Sequence, residues 1–312
     1  MTEIICGVDV SSEALDARIG LEGAAARFPS TPEGIADLAA FCRQHQAVLA
    51  VMEATGGYEK PAYARLWSHG IPAAIVNPRA VRKFAEGIGF LEKTDRIDAG
   101  VIARYGAVKG IVAQEPPSEA QERLKALVAR LRQLTELRAM QSNQRRLVTE
   151  SGIKGLFEEL IGVINRQIRD LELQIAALIK TDPVWWALDA CFRSIKGVAD
   201  RTVSRLMAEM PEIGILSNKA VAKLAGLAPI AKDSGKSKGK RAIRGGRANL
   251  RSILFVVAEI VRRCNLDFAA LHKRLTEAGK AKKVIRIALA RKLLVQLNAK
   301  ARDARKQCAM AA

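Results

Sequence analysis

A long stretch without proline, between Pro117 and Pro183, is the feature that most constrains how this chain can fold. Within it, leucines and isoleucines recur three and four residues apart, the spacing of residues that meet along the seam of a coiled coil. The pattern predicts two long helices that fold back on each other or pair with another chain. We expect them to support a homo-oligomer, a dimer or tetramer, rather than chemistry. The residues of this pattern are Leu124, Leu127, Leu131, Leu134, Ile161, Ile164, Ile168, Leu171, Ile175 and Leu178.

This stretch separates two parts of different character, so three segments are expected: 1–110, 111–180 and 181–312. The first alternates short apolar runs with helical patterns, which predicts an α/β domain with a mixed sheet and helices packed on it. The runs "EIICGVDVS" and "LDARIGL" can pair as a hairpin, and "AVLAVMEATGG" and "IPAAIVNP" indicate further strands. Thr31 is placed to cap the helix that follows it. The third segment is expected to be mostly helical and basic.

The charge of the chain predicts a polyanionic partner. Lysine and arginine number 51 against 32 acidic residues, a net charge of +19 on 312 residues that are 49% hydrophobic. Such an excess favours DNA or RNA, with a membrane surface as the alternative. No apolar run is long enough to span a bilayer, and the N-terminus lacks the basic head and apolar stretch of a signal peptide. We therefore expect a cytoplasmic protein.

Candidate metal ligands are oxygen atoms rather than sulfur or nitrogen. The five cysteines and three histidines lie far apart and form no C-x-x-C pair, which argues against zinc. Oxygen ligands favour Mg²⁺ or Mn²⁺. Asp9 and Glu53 each end an apolar strand, where sites collect in α/β sheets. Asp95 and Asp98 lie three residues apart, on one face of a helix.

If these four carboxylates converge, they repel one another unless cations lie between them. Two divalent ions about 4 Å apart could hold the attacking and leaving oxygens of a phosphodiester. The alternative is that Asp9 and Glu53 face solvent at turns, and that Asp95 only complements a helix dipole.

Three blocks of the first segment, "GVDVS", "MEATGGYE" and "KTDRIDA", resemble the signature blocks of the DEDD transposases of the insertion sequence 110 family. In the third segment, "IKGVADRTVSRLMAEM" and "LAGLAPIAKDSGKSKGKRAIRGGRANLRSILF" are similar to the C-terminal transposase block of that family. The resemblance covers both ends of the chain in order. It implies a RuvC-like N-terminal domain with an RNase H fold, a DNA recombinase of a mobile element, and donor and target DNA chosen by a structured guide RNA.

The stretch "IAKDSGKSKGKRAIRGG" runs from residue 230 to 246 and mixes small residues with basic ones. It is not a P-loop, because the motif requires a glycine where Ile230 stands, and because helix and turn precede it instead of a strand. A flexible nucleic-acid-binding loop is the alternative. The family resemblance implies that Ser234 is the nucleophile, with Ser237 as its competitor. A serine hydroxyl needs a base or a metal for activation, and no histidine lies nearby in sequence.

Basic residues near this serine are expected to bind nucleic-acid backbones, and the glycines allow a close approach. The run "FRSIKGVADRTVSRLMAEM" predicts two helices joined by a tight turn and resembles a helix-hairpin-helix element, whose Lys196 and Gly197 would contact a phosphate. An ordinary helix pair with a glycine turn is the alternative. The remaining candidates for nucleic-acid binding are Lys236, Lys238, Lys240, Arg241, Arg244, Arg247 and Arg251.

Together these patterns predict a recombinase that cuts a DNA strand through Ser234, holds the end as a phosphoserine and rejoins it to a new partner. We expect Ser234 of one chain to meet the carboxylates of another. A RuvC-like nuclease that uses water needs the four acids but not the serine. A non-catalytic nucleic-acid-binding protein needs neither. An actin-like ATPase is a further alternative, since "GVDVS" also opens that fold.

Overall fold

The computed structural model describes residues 4–90, 95–231, 233–234, 237–239 and 241–311. The chain divides into two compact units, Met1–Pro117 and Ser118–Ala312. The helical stretch after Pro117 shares one hydrophobic core with the residues that follow it. The predicted division into three functional segments therefore stays a prediction.

The first unit is a mixed α/β sheet, as predicted. Its strand order is β3-β2-β1-β4-β5, in which β1, β2 and β3 are antiparallel and β4 and β5 run parallel to β1. The predicted hairpin of the first two strands is confirmed. The elements are β1 (Ile5–Val10), β2 (Ala14–Ile19), β3 (Ala25–Pro29), α1 (Pro32–Gln44), β4 (Leu49–Glu53), α2 (Glu59–Ser68), β5 (Ala73–Val76), α3 (Pro78–Gly87) and α4 (Asp95–Lys109).

Helices cover both faces of this sheet. Cys6, Val8 and Val10 of β1 point toward the core formed with α1 and α2. Ile5 belongs to the core on the other face, formed with α3 and α4. Helix α1 begins as predicted, since the Thr31 side chain accepts a hydrogen bond from Gly34 N. Burial on both faces explains why β1 and β4 are nearly continuous apolar runs in the sequence.

The second unit is mostly helical. Its elements are α5 (Glu119–Arg145), α6 (Ser151–Lys180), α7 (Pro183–Arg193), α8 (Asp200–Glu209), α9 (Asn218–Leu224), β6 (Pro229–Ile230), β7 (Asp233–Ser234), β8 (Ser237–Lys238), β9 (Ala242–Ile243), α10 (Ala248–Cys264), α11 (Leu266–Glu277) and α12 (Lys282–Ala311). Within the described ranges, none of the helices of either unit is long and apolar enough to cross a bilayer.

The two long helices α5 and α6 fold back on each other in one chain. Ile168 and Ile175 are 3% and 4% exposed in the seam between these helices and their neighbours. The predicted apolar seam is therefore buried without a second chain. Other apolar side chains of the same hairpin are exposed: Met140, Leu147, Ile153, Leu156, Leu160 and Leu173. Pairing with another chain stays a prediction.

Candidate active site

Asp9 and Glu53 lie beside each other at the carboxyl ends of two neighbouring parallel strands. The register of β1 and β4 pairs Gly7 with Val51 and Val8 with Met52, and its continuation places Asp9 next to Glu53. Successive side chains of a strand alternate between faces, so both acids share the face of Ile5 and Val51, which α3 and α4 cover. Both side chains are half-buried. The two strand-end acids are thus held on a buried part of the sheet.

Helix α4 lies against the same face with its backbone close to β1. A Cβ placed on Gly7 would be 1.9 Å from the carbonyl oxygen of Ala99 and 2.5 Å from the amide nitrogen of Ala103. Further along the helix, Gly106 faces the side chains of Ile5 and Val51. As α4 advances, its contacts on β1 move backward along the strand, so the two elements run antiparallel.

This direction brings the start of α4 toward the carboxyl ends of β1 and β4. Asp98 lies in the first turn, is half-buried, and is one turn before the fully buried Ile102 on the sheet-facing side. Asp95 is the first residue of the helix, but its side chain is outside the described part. The structure therefore brings Asp9, Glu53 and Asp98 to one end of one sheet face.

A metal ion would have to be held by several of these acids at once, so the distances between their side chains matter. Within the described residues, no three histidine, cysteine, aspartate or glutamate side chains are grouped closely enough to hold a metal. Asp9, Glu53 and Asp98 each take part in a hydrogen bond, an ion pair or another such interaction, so none of them is without a partner. Metal binding by these residues stays a prediction.

The loop that follows Glu53 is organised by a second glutamate. The carboxylate of Glu59 accepts hydrogen bonds from the amides of Thr55 and Gly57 at 3.0 and 2.8 Å, and from the Thr55 hydroxyl at 3.3 Å. Burial opposes ionisation of Glu59, but these hydrogen bonds and one from its own amide outweigh it and lower the pKa. The "MEATGGYE" block thus combines a candidate ligand, Glu53, with the residue that shapes the loop behind it.

One acid next to the site escaped the sequence patterns. Asp16 of β2 is the cross-strand partner of Asp9, so the two side chains share a face. Arg27 of β3 forms an ion pair with Asp16 at 3.6 Å and is itself largely exposed. Asp16, Arg18, Arg27 and Ala99 line a cavity of about 490 Å³ beside α4. The alternation of apolar and polar residues in "ALDARI" places Asp16 on the polar face of its strand. Pairing of this strand with "GVDVS" then puts Asp16 opposite Asp9.

Ser234 is exposed on a β-hairpin that lies between α9 and α10 of the second unit. Pro229 and Ile230 pair with Ile243 and Ala242 near the base. At the tip Asp233 pairs with Lys238 and Ser234 with Ser237, and two residues separate the serines. The side chain of Ser234 is exposed, whereas that of Ser237 is outside the described part. Over its described residues, the predicted loop therefore contains two short antiparallel strand pairs, β6 with β9 and β7 with β8.

The predicted nucleic-acid-binding residues fall into distinct environments. Arg241 and Arg244 are exposed and lie just before and just after β9. Arg247 instead holds Glu212 with both terminal nitrogens, at 2.7 and 2.6 Å. Arg251 donates to the carbonyl oxygen of Gly245 at 2.6 Å. Lys236 and Lys240, and the side chain of Lys238, lie outside the described residues.

The turn between α7 and α8 is present as predicted. Gly197 has φ +101°, and a Cβ there would lie 3.3 Å from Ile260 and Val261 of α10. Lys196 is exposed. Close packing against α10 accounts for the glycine by itself, so phosphate contact at this turn stays a prediction.

Comparisons with known proteins decide the family. Residues 6–150 match the DEDD family model described as "Transposase", and residues 189–273 match the model described as "Transposase IS116/IS110/IS902 family". Two proteins named "Pilin gene-inverting protein", from Moraxella lacunata and Moraxella bovis, are each 30% identical over 305 residues, covering 94% of both chains. The chain belongs to the IS110 family of transposases.

Membership of the family makes this transposase an enzyme of DNA strand transfer, with DNA as its substrate. A DEDD-type domain also indicates use of a divalent metal. The first matched range contains the strand-end acids and α4, and the second contains the hairpin with Ser234.

Proposed function

We propose that this transposase cuts DNA by attack of the Ser234 hydroxyl on a phosphodiester and rejoins the held end to a new partner. A bond forms between Ser234 Oγ and phosphorus, the bond to the leaving strand oxygen breaks, and the hydroxyl proton passes to a base or solvent. In the second step a hydroxyl of the partner strand attacks the phosphoserine and serine leaves. The observation that carries this proposal is the exposed position of Ser234 in β7, which pairs with β8 between α9 and α10.

The first unit would supply the metal-binding part of the site. Its five-stranded mixed sheet, with helices on both faces, is compatible with the RuvC-like, RNase H fold that the family resemblance implies. Asp9, Glu53 and Asp98 offer carboxylate oxygens, the donors that Mg²⁺ and Mn²⁺ prefer, and Asp95 would complete the set. A bound divalent ion supplies charge neutralisation of the phosphate and a lowered pKa for a hydroxyl.

Two features of the chain support nucleic-acid partners. Its net charge of +19 fits phosphate backbones, and the exposed Arg241 and Arg244 lie on either side of β9, where the chain returns from Ser234 to α10. The relatives are named for inverting a pilin gene, and inversion requires DNA to be cut and rejoined. Recognition of donor and target by a structured guide RNA rests on the family resemblance. Base pairing would then read the sequence while the protein holds backbone and shape.

We further propose that the site forms between chains. Ser234 and the carboxylates belong to different compact units, and α6 carries exposed Leu156, Leu160 and Leu173 that a second copy could cover.

A Leu156→Ser, Leu160→Ser protein should have a lower oligomeric mass by light scattering. A mixture of Ser234→Ala and Asp9→Ala proteins should recover cleavage, with DNA linked only to the Asp9→Ala chain. No recovery in mixed oligomers that do form would contradict a shared site.

The decisive experiment traps the serine adduct. Protein is purified from cells carrying its gene with the flanking DNA, the copurifying nucleic acid is sequenced, and a plasmid with the same flanks is incubated with Mg²⁺. A protein–DNA adduct that survives denaturation, mapped to Ser234 by mass spectrometry and absent in Ser234→Ala, is the expected result. Ser237→Ala is the matched control and should retain the adduct. Cleavage without any adduct would favour a nuclease that uses water, and an adduct on Ser237 would reassign the nucleophile.

A further inference from the structure

The hairpin that carries Ser234 leaves the helical unit at one tight crossing. The chain enters it after α9 and returns before α10, and the two segments meet at Gly226 and Gly246. A Cβ on Gly226 would lie 2.2 Å from Gly245 O, and one on Gly246 would lie 2.3 Å from Gly226 N. The amide of Arg247 donates to Leu224 O at 2.9 Å. Backbone packs on backbone here, so this crossing sets the direction in which the hairpin points.

Arg247 connects this crossing to the end of α8 through hydrogen bonds. Arg247 donates through Nη1 and Nη2 to the two carboxylate oxygens of Glu212, and Nη1 also donates to Glu209 O at 2.7 Å. Such two-pronged pairs fix an orientation as well as adding energy. Both residues are about one third exposed, and Arg251 adds a bond to Gly245 O. The guanidinium of Arg247 is thus engaged by acceptors at the end of α8 and just beyond it.

The length of the hairpin amplifies any movement at its base. Ser234 lies four residues after Ile230, and four residue steps span about 13 Å in an extended strand. A tilt of about 10° at the base would then move the serine by roughly 2 Å, and misplacement of a reacting group by about 1 Å can lower a rate about 100-fold. A rigid base is therefore needed for a serine on such an arm.

We infer that Arg247, held by Glu212, is a positioning residue that aims the Ser234 hairpin, and that it does not bind the DNA backbone. The inference rests on the proposed role of Ser234. It replaces the nucleic-acid contact that the sequence predicted for Arg247, because a contact to phosphate would compete with three acceptors inside the chain. Arg241 and Arg244, exposed on the hairpin, keep that predicted role.

Substitution of Glu212, the acidic partner of Arg247, distinguishes a positioning role of Arg247 from phosphate binding. Glu212→Gln keeps the shape of the side chain, removes a negative charge and leaves Arg247 in place. If Arg247 positions the hairpin, Glu212→Gln should slow adduct formation at saturating plasmid DNA by about 10-fold or more, although the protein has become more basic. If Arg247 binds phosphate, its release from Glu212 should leave that rate unchanged and tighten DNA binding. The second result would overturn the inference.

Arg247 variants give an independent readout. Arg247→Ala should lower the adduct rate by about 10–100-fold and leave the salt dependence of duplex binding unchanged, whereas loss of a phosphate contact would reduce the log–log slope by about 0.9. Arg247→Lys keeps the charge without the two-pronged geometry, so it should recover only part of the rate. Full recovery by lysine, or a reduced slope in Arg247→Ala, would contradict a positioning role.

The controls keep this test distinct from that of the proposed function. Glu136→Gln removes the acidic partner of another arginine–glutamate pair, with Arg132 at 3.0 Å on α5, and should leave the adduct rate unchanged. If Ser234→Ala still forms the adduct, the proposed nucleophile is wrong whatever Arg247 does. If Ser234→Ala is inactive and both Glu212→Gln and Arg247→Ala react at the normal rate, the positioning inference alone fails. Should Arg247→Ala not fold, Glu212→Gln decides the matter.

Discussion

Replacing Gly7 with alanine should disturb both the stability of the first unit and its candidate metal site. The new Cβ would lie 1.9 Å from Ala99 O, and real Cβ contacts are not found below 3.0 Å. Because the opposing atoms are backbone, α4 must move away from β1 by roughly 1 Å, which forfeits a quarter to a half of the dispersion energy of the affected contacts. We expect a loss of about 3 kcal/mol, the upper end for overpacking.

The same displacement moves Asp98 relative to Asp9, so cleavage should fall as well, by about 100-fold for a shift of about 1 Å. Stability is measured by urea unfolding with the fluorescence of Trp67, which reports on the first unit when Trp185 and Trp186 are replaced by phenylalanine. Cleavage is measured on the plasmid substrate with Mg²⁺.

Gly106→Ala is the matched control at the same interface. Its Cβ would lie 3.0 Å from a methyl group of Val51, which can yield, and alanine favours the helix. We expect unfolding free energies within about 1 kcal/mol of the parent protein. If Gly7→Ala matches the parent in both stability and cleavage, the close packing of α4 on β1 does not control the site.

Three further outcomes are expected. Asp9→Asn should abolish Mn²⁺ binding measured by calorimetry, with duplex binding retained; an unchanged Mn²⁺ isotherm would remove Asp9 from the site. Because hydrogen bonds lower the pKa of Glu59 below its ordinary 4.5, its contribution to stability is present above about pH 4.5 and is lost as the pH falls through the lower folded value; Glu59→Gln should flatten the pH dependence of unfolding in this acid range, and an equally steep profile would argue against it. Ile168→Asp with Ile175→Asp should lower the free energy of unfolding by about 3 kcal/mol or more, because the seam is internal; a change in oligomeric mass at unchanged stability would place the seam between chains instead.

Much of the fold could be predicted from local patterns. Short apolar runs separated by turns predict the central strands, because strands buried on both faces need apolar side chains throughout. The three- and four-residue spacing predicts α5 and α6, because that period places side chains on one helix face. The excess of basic residues indicates a polyanion without reference to any structure. These features depend on neighbours in sequence, so the sequence by itself determined them.

The rest depends on contacts between distant residues. Only the packing of α4 across Gly7 brings Asp98 to the end of the sheet that carries Asp9 and Glu53. Only the strand register places Asp16 opposite Asp9, because a shift by one residue would turn it to the other face. The sequence therefore determined which residues could form a site, and the tertiary structure decided which of them share one face.

The same distinction explains Arg247. In the sequence it is one of several basic residues after a flexible-looking stretch, and charge alone makes all of them candidates for phosphate. In the folded chain it meets Glu212, 35 residues earlier, because α9 and the hairpin bring the two segments together. The charge of Arg247 is a property of composition and was determined by the sequence alone. The partner of that charge was decided by the tertiary structure, because an arginine guanidinium binds whichever acceptors the fold places within about 3 Å of it.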